Sequence, residues 1–141
     1  MPDKKEISKA VMSRISILVV DDDEVVRKTV TLMLNRLGVK SVHQAANGQE
    51  GMAAVLRNRP DMVLCDMHMS PMNGVKFVQE LRSSAIDEVK KTPVVMLTAD
   101  GAVETVQSLA KYKIQGYLLK PTTVLQIQER IFKVLGRKFG L

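Results

Sequence analysis

Short apolar runs that stop abruptly on a polar side chain constrain this 141-residue chain more than any other feature. Ile17-Leu18-Val19-Val20 runs into a triple carboxylate, Asp21-Asp22-Asp23, and Met62-Val63-Leu64-Cys65 runs into Asp66. Val94-Val95-Met96-Leu97 ends in Thr98, and Tyr117-Leu118-Leu119 ends in Lys120-Pro121. Runs of this length suit buried strands rather than helices. Such strands, laid parallel, bring their carboxyl ends to one sheet edge, where ligand crevices form. Acid, acid, hydroxyl and amine then meet. Crowded carboxylates repel, so they are tolerated where a cation shares the site, and an all-oxygen ligand set favours a hard divalent ion such as Mg²⁺.

Between these runs the pattern changes period. Val26, Val30, Met33, Leu34 and Leu37 recur at spacings of three and four, a core-facing helical stripe with Gly38 as a natural stop. Leu125, Ile127, Ile131, Val134 and Leu135 repeat that logic after Pro121 and two threonines able to cap a helix. Asn47-Gly48 and Asn73-Gly74 mark tight turns before two further helices. The chain therefore reads as strands near 16–20, 40–45, 62–66, 93–98 and 116–119 with helices in the gaps, including one over 101–112. Alternation of this kind predicts an α/β domain built on a parallel sheet.

Composition narrows the class. At 141 residues, 45% hydrophobic and 26% charged, the chain can build one core without staples. No apolar run has the length of a membrane span, and the first residues lack the apolar core of a secretory signal, so the cytoplasm is the expected location. Cys65 is the only cysteine and excludes an intrachain disulfide; it reads as a small apolar strand residue. The net charge of +6 and pI near 9.6 invite a nucleic-acid reading. Much of that charge lies at the ends, however, in Lys4, Lys5, Lys9 and Arg14, and in Arg130, Lys133, Arg137 and Lys138. Without interleaved aromatics or any Trp, direct nucleic-acid binding is not expected. Residues 1–14 read as a basic N-terminal extension, frayed or a short amphipathic lead-in, and 15–141 as the domain, with no output domain.

The set of strand-end groups resembles the receiver domain of two-component response regulators. The resemblance rests on Leu18 to Asp22, on Asp66 with Met69 to Gly74 behind it, on Thr98-Ala99 and on Lys120-Pro121, and it runs from about Ser16 to Gly136. It implies a flavodoxin-like, doubly wound five-stranded parallel sheet, order 2-1-3-4-5, flanked by five helices. It also implies a phosphoacceptor at Asp66, with Mg²⁺ held by Asp22, Asp66 and the backbone carbonyl of His68, and by Asp21 directly or through water. Lys120 and Thr98 would stabilise the phosphoryl group, and Thr98 and Tyr117 would form the switch. Asp23 would fall where it caps the first helix. The side chains of His68 and Asp100 would tune the phosphoryl lifetime. Two departures from the family pattern are Lys113, near where relatives end the fourth helix with Gly, and Ser70-Pro71, which displaces a proline by one position.

By that resemblance the chain is a monomeric, non-enzymatic phosphoacceptor, a stand-alone receiver of the chemotaxis type. Its phosphoryl donor is a histidine kinase or histidine phosphotransfer protein. Its downstream protein target, a motor, kinase or relay partner, meets a face formed by residues 102–119 and the last helix, including Glu104, Gln107, Lys111, Tyr112 and the edge of Tyr117. A phosphorelay shuttle or phosphate sink is the alternative, and a non-phosphorylated scaffold is the alternative of another class. An aspartyl phosphatase fits poorly, since the acid expected two residues after its nucleophile is His68 here.

Overall fold

The computed structural model describes residues 9–69, 72–99, 107 and 110–140. Its elements run β1 (Ser16–Val20), α1 (Glu24–Leu37), β2 (Ser41–Ala45), α2 (Gly48–Asn58), β3 (Met62–Asp66), α3 (Gly74–Arg82), a short α4 (Asp87–Lys90), β4 (Val94–Thr98), β5 (Gly116–Leu119) and α5 (Val124–Phe139). Every strand lies within one residue of its expected position. All pairings are parallel and the strand order is β2-β1-β3-β4-β5. The helix expected over 101–112 falls mostly outside the described residues, and α4 is a turn of helix that the apolar spacing did not signal.

The central strands explain why their runs read as continuously apolar. Side chains alternate across a sheet covered on both faces, so neither face offers a place for polar residues. Ile17, Val19, Met62, Leu64, Val95 and Leu97 pack with Val30, Leu34, Ile127, Ile131 and Leu135, from α1 and α5. Leu18, Val20, Val63, Cys65, Val94 and Met96 pack with Ala54, Val55, Phe77, Val78 and Leu81, from α2 and α3. The two cores share only the sheet between them.

Local chemistry fixes each helix start on the site side of the sheet. Asp23 caps α1, its Oδ1 accepting from Val25 N at 2.9 Å and Val26 N at 3.3 Å. Asn47 and Asn73 do more than turn the chain: each caps its helix, accepting from Glu50 N and Lys76 N at 2.9 Å. Thr123 opens α5 with a reciprocal capping box to Gln126. Gly38 ends α1 in the left-handed region at φ 104.

Two expectations need correction. Leu125 does not join the α5 stripe: it is 68% exposed, because two residues of helix place it about 200° from Ile127, and Val124 packs instead. The lead-in is also less peripheral than its composition implies. Residues 9–12 are helical, Met12 and Ile15 are fully buried, and the Arg14 guanidinium donates to the Phe139 carbonyl at 3.4 Å.

Candidate functional site

The parallel register brings the polar strand ends together. Val20 lies opposite Cys65, Asp66 opposite Leu97 and Thr98 opposite Leu119, so the carboxyl ends of β1, β3, β4 and β5 share one edge. Carboxylate oxygens of Asp21, Asp22 and Asp66 come within 4.8 Å of one another. Lys120 Nζ donates to Asp21 Oδ2 at 2.9 Å and to Asp66 Oδ1 at 3.0 Å. Asp23 is turned away to the helix it caps.

Burial separates the three acids. Asp21 is 0% exposed and Asp66 5%, whereas Asp22 faces solvent. Each carboxylate oxygen of Asp21 has a donor: Oδ1 accepts from Asp23 N at 2.9 Å and Oδ2 from Lys120. Its main chain is tied as firmly. Asp21 N donates to Ala45 O at 3.1 Å, and Asp21 O accepts from Arg27 Nη1 at 2.7 Å.

These surroundings shift two ionisable groups. Burial raises the Asp66 pKa above the usual carboxylate range, with the Asp21 charge adding to the rise; hydrogen bonds from Lys120 and from the His68 main chain oppose it without cancelling it. Burial pulls Lys120 downward, but its hydrogen bonds to Asp21 and Asp66 outweigh burial and leave its pKa raised. The pair is thus a cation held firmly charged beside a carboxylate that is costly to ionise. Cys65, one residue before Asp66, has its thiol pushed well up by burial, which removes it from thiolate chemistry.

The fit to Mg²⁺ follows from the donor set. Mg²⁺ prefers oxygen, takes one or two carboxylates and keeps several waters. Asp22 and Asp66 present oxygens at an edge open to solvent on the Asp22 side, while Asp21 already serves two donors. Added positive charge would offset the burial, and the repulsion from Asp21, that raise Asp66.

Thr98 is buried at the end of β4, and Lys120 N donates to its carbonyl at 2.8 Å, fixing amine and hydroxyl residues side by side. Lys120 precedes Pro121 through a cis peptide bond. Tyr117 pairs with Met96, two residues before Thr98, and packs partly buried on the sheet face that carries Met96. Residues two apart share a face, so Thr98 and Tyr117 lie on the same side of neighbouring strands. His68 is exposed at the rim. Asp100, Glu104 and Ser70-Pro71 lie outside the described residues.

Glycine sets how closely α3 approaches. A Cβ on Gly74 would stand 2.6 Å from the Asp66 carbonyl and 2.9 Å from Met67 Cα. Only glycine lets the start of α3 meet the end of β3, where Gly74 N donates to Met67 O at 2.9 Å.

Two arginines escaped the sequence reading. Arg27 grips the Asp21 carbonyl from the first turn of α1. Arg82, at the end of α3, donates to the carbonyls of Lys90, Thr92, Tyr112 and Lys113 at 2.7–3.1 Å and to Gln115 Oε1 at 3.4 Å. Gln79 reaches the Tyr112 hydroxyl at 2.5 Å. Tyr112 is therefore turned toward α3 and partly buried, rather than displayed with exposed Gln107 and Lys111.

Residues 17–132 match the response regulator receiver domain. The chain belongs to the response regulator receiver family. Receiver relatives include chemotaxis protein CheY-3 of Vibrio cholerae, 30% identical over 121 residues, covering 86% of this chain and 92% of the relative. Chemotaxis protein CheY1 of Helicobacter pylori is 33% identical over 121 residues, covering 85% and 96%. A crystal structure of Vibrio cholerae chemotaxis protein CheY4 superposes with a TM-score of 0.79 at 30% identity, covering 86% of this chain and 98% of that one. No helix among the described residues is long and apolar enough to cross a membrane.

Proposed function

We propose that this receiver is a phosphoacceptor in which Asp66 takes a phosphoryl group from a histidine kinase or histidine phosphotransfer protein, and that phosphorylation changes the protein target it binds. The observation that carries this reading is the Asp21, Asp22 and Asp66 cluster bridged by Lys120 at 2.9 and 3.0 Å. A carboxylate oxygen of Asp66 attacks phosphorus, the donor's P–N or P–O bond breaks, and the departing group leaves with the bonding pair and gains a proton from solvent. Phosphoryl transfer asks mainly for alignment and charge neutralisation. Lys120 supplies the second, since its ammonium already lies at the Asp66 oxygen and its raised pKa keeps it charged. The Thr98 hydroxyl, at the end of the neighbouring strand, would donate a hydrogen bond to a phosphoryl oxygen.

Mg²⁺, held by Asp22, Asp66 and the His68 carbonyl with Asp21 acting through water, would neutralise the phosphoryl oxygens when bound. Asp21 fits the water-mediated role because both of its oxygens already accept hydrogen bonds. His68 and Asp100 would tune the lifetime of the acyl phosphate. A group drawn onto Thr98 and Lys120 would free space on the face shared with Tyr117, whose ring would follow. The responding surface joins Tyr117 and Leu119 to Gln126, Glu129, Arg130 and Lys133 of α5 around a cavity of about 330 Å³. Similarity to chemotaxis proteins favours a cytoplasmic chemotaxis regulator over a phosphorelay shuttle.

The test is intact mass after incubation with acetyl phosphate or phosphoramidate. We expect one added phosphoryl group that requires Mg²⁺ and is lost in Asp66→Asn. No gain in the wild type under any condition would leave a scaffold.

A further inference from the structure

Arg27 is a cation at the wrong end of a helix. It sits in the first turn of α1, where the helix dipole favours negative charge, three positions after a run of four consecutive acids, Asp21 to Glu24. Yet it pairs with none of them: among the described residues no carboxylate lies within ion-pair distance of its guanidinium. Its one bond is to the main-chain carbonyl of Asp21, at 2.7 Å and partly buried. Helical side chains lean toward the N-terminus, which is how a residue six positions later reaches back to the end of β1.

That bond completes a four-way anchorage. The Asp21 amide holds Ala45 of β2, one carboxylate oxygen holds Asp23 N, the other holds Lys120, and the carbonyl is held by Arg27. The first three ties hold the amide and the side chain, the Asp23 N bond already closing a turn around the peptide after Asp21, but none of them grips the carbonyl oxygen of that peptide. The Arg27 bond fixes that peptide, and with it the direction in which Asp22 leaves the strand: Asp21 inward, Asp22 toward solvent but within 4.8 Å of Asp66.

We propose that Arg27 is a positioning residue for the divalent-cation site, holding the turn after β1 so that Asp22 faces Asp66. The inference rests on the functional reading above. It makes a prediction opposite in sign to simple electrostatics. Removing a positive charge near a cation site strengthens cation binding by Coulomb attraction alone; loss of positioning weakens it.

The experiment is Mg²⁺ titration of the intact protein, followed by calorimetry or amide chemical shifts, on wild type, Arg27→Met, Arg27→Gln and Arg27→Lys, with thermal unfolding of each in metal-free buffer. Arg27→Met should bind Mg²⁺ about three- to tenfold more weakly, the range expected when one charge-assisted hydrogen bond no longer organises a ligand. Arg27→Lys, which keeps charge and a donor of nearly sufficient reach, should stay within about twofold of wild type. Arg27→Gln, neutral and too short, should resemble Arg27→Met and replaces it should the methionine variant not fold. Unchanged or tighter binding in both neutral variants overturns the proposal, and a lower Tm with unchanged affinity would reduce Arg27 to a structural cap. Absence of saturable Mg²⁺ binding in the wild type would instead remove the functional reading and this inference with it.

Discussion

At the scale of the residue, Asp66 is under tension between two demands. The nucleophile we propose it to be must be ionised, yet burial and the neighbouring Asp21 charge raise its pKa. A raised carboxyl pKa stabilises the fold below the ordinary carboxylate range, and that contribution is lost as pH rises through the folded value. Ionised Asp66 is therefore a net cost to the metal-free protein at neutral pH. Asp66→Asn keeps an oxygen for Lys120 and removes the charge. In buffer without divalent ions its Tm should exceed that of the wild type by a few degrees at neutral pH, and the gap should close on acidification. Thermal unfolding between about pH 4 and pH 8 measures this; a lower Tm for the variant at neutral pH would contradict it. Lys120 has the same sign but a different window, its contribution being lost only above the usual lysine range.

At the scale of the element, the segments just after α4 and just before β5 converge on a single guanidinium. Lys113 stands at φ 57, a left-handed conformation that suits glycine, and its carbonyl is one of five acceptors gathered by Arg82. Burial lowers the Arg82 pKa without threatening its charge. Lys113→Gly should stabilise the protein by roughly 0.5–1 kcal/mol, since relief of the left-handed strain outweighs the added chain entropy. Arg82→Ala should cost about 1–2 kcal/mol by removing its bonds to the half-buried carbonyls of Thr92 and Tyr112, the exposed carbonyls of Lys90 and Lys113 contributing little. Urea unfolding of both variants checks the two signs. These contacts also mark what the sequence could not reveal. The strands were legible because both faces of a parallel sheet are buried, and the acids, Thr98 and Lys120 because the register lines up residues that end apolar runs. Arg27 and Arg82 were hidden because their partners are main-chain carbonyls, which no side-chain pattern records. Leu125 misled because it lies close in sequence to the stripe but across the helix from it. Met12 was missed because its burial depends on the packing of distant elements.

At the scale of the whole molecule, the site and the fold draw on the same free energy. The two cores are continuous on either side of the sheet, and the edge where four strands end is the place where buried charge opposes that packing. A cation that binds only the folded chain stabilises it by mass action, about 2.7 kcal/mol at a hundredfold excess over its Kd. For a domain of this size that is a rise in Tm on the order of 5–15 °C. The rise should require Asp66, so wild type and Asp66→Asn should exchange order: the variant more stable without metal, the wild type more stable with saturating Mg²⁺. The gain should also fade as pH falls, because protonation of Asp66 competes with the cation for the same oxygens, and its raised pKa moves that competition to higher pH than for an ordinary aspartate. Thermal unfolding of both proteins across a Mg²⁺ and pH grid tests the exchange. Parallel curves, with the same Mg²⁺ response in each, would place the cation elsewhere and leave Asp66 paired with Lys120 alone.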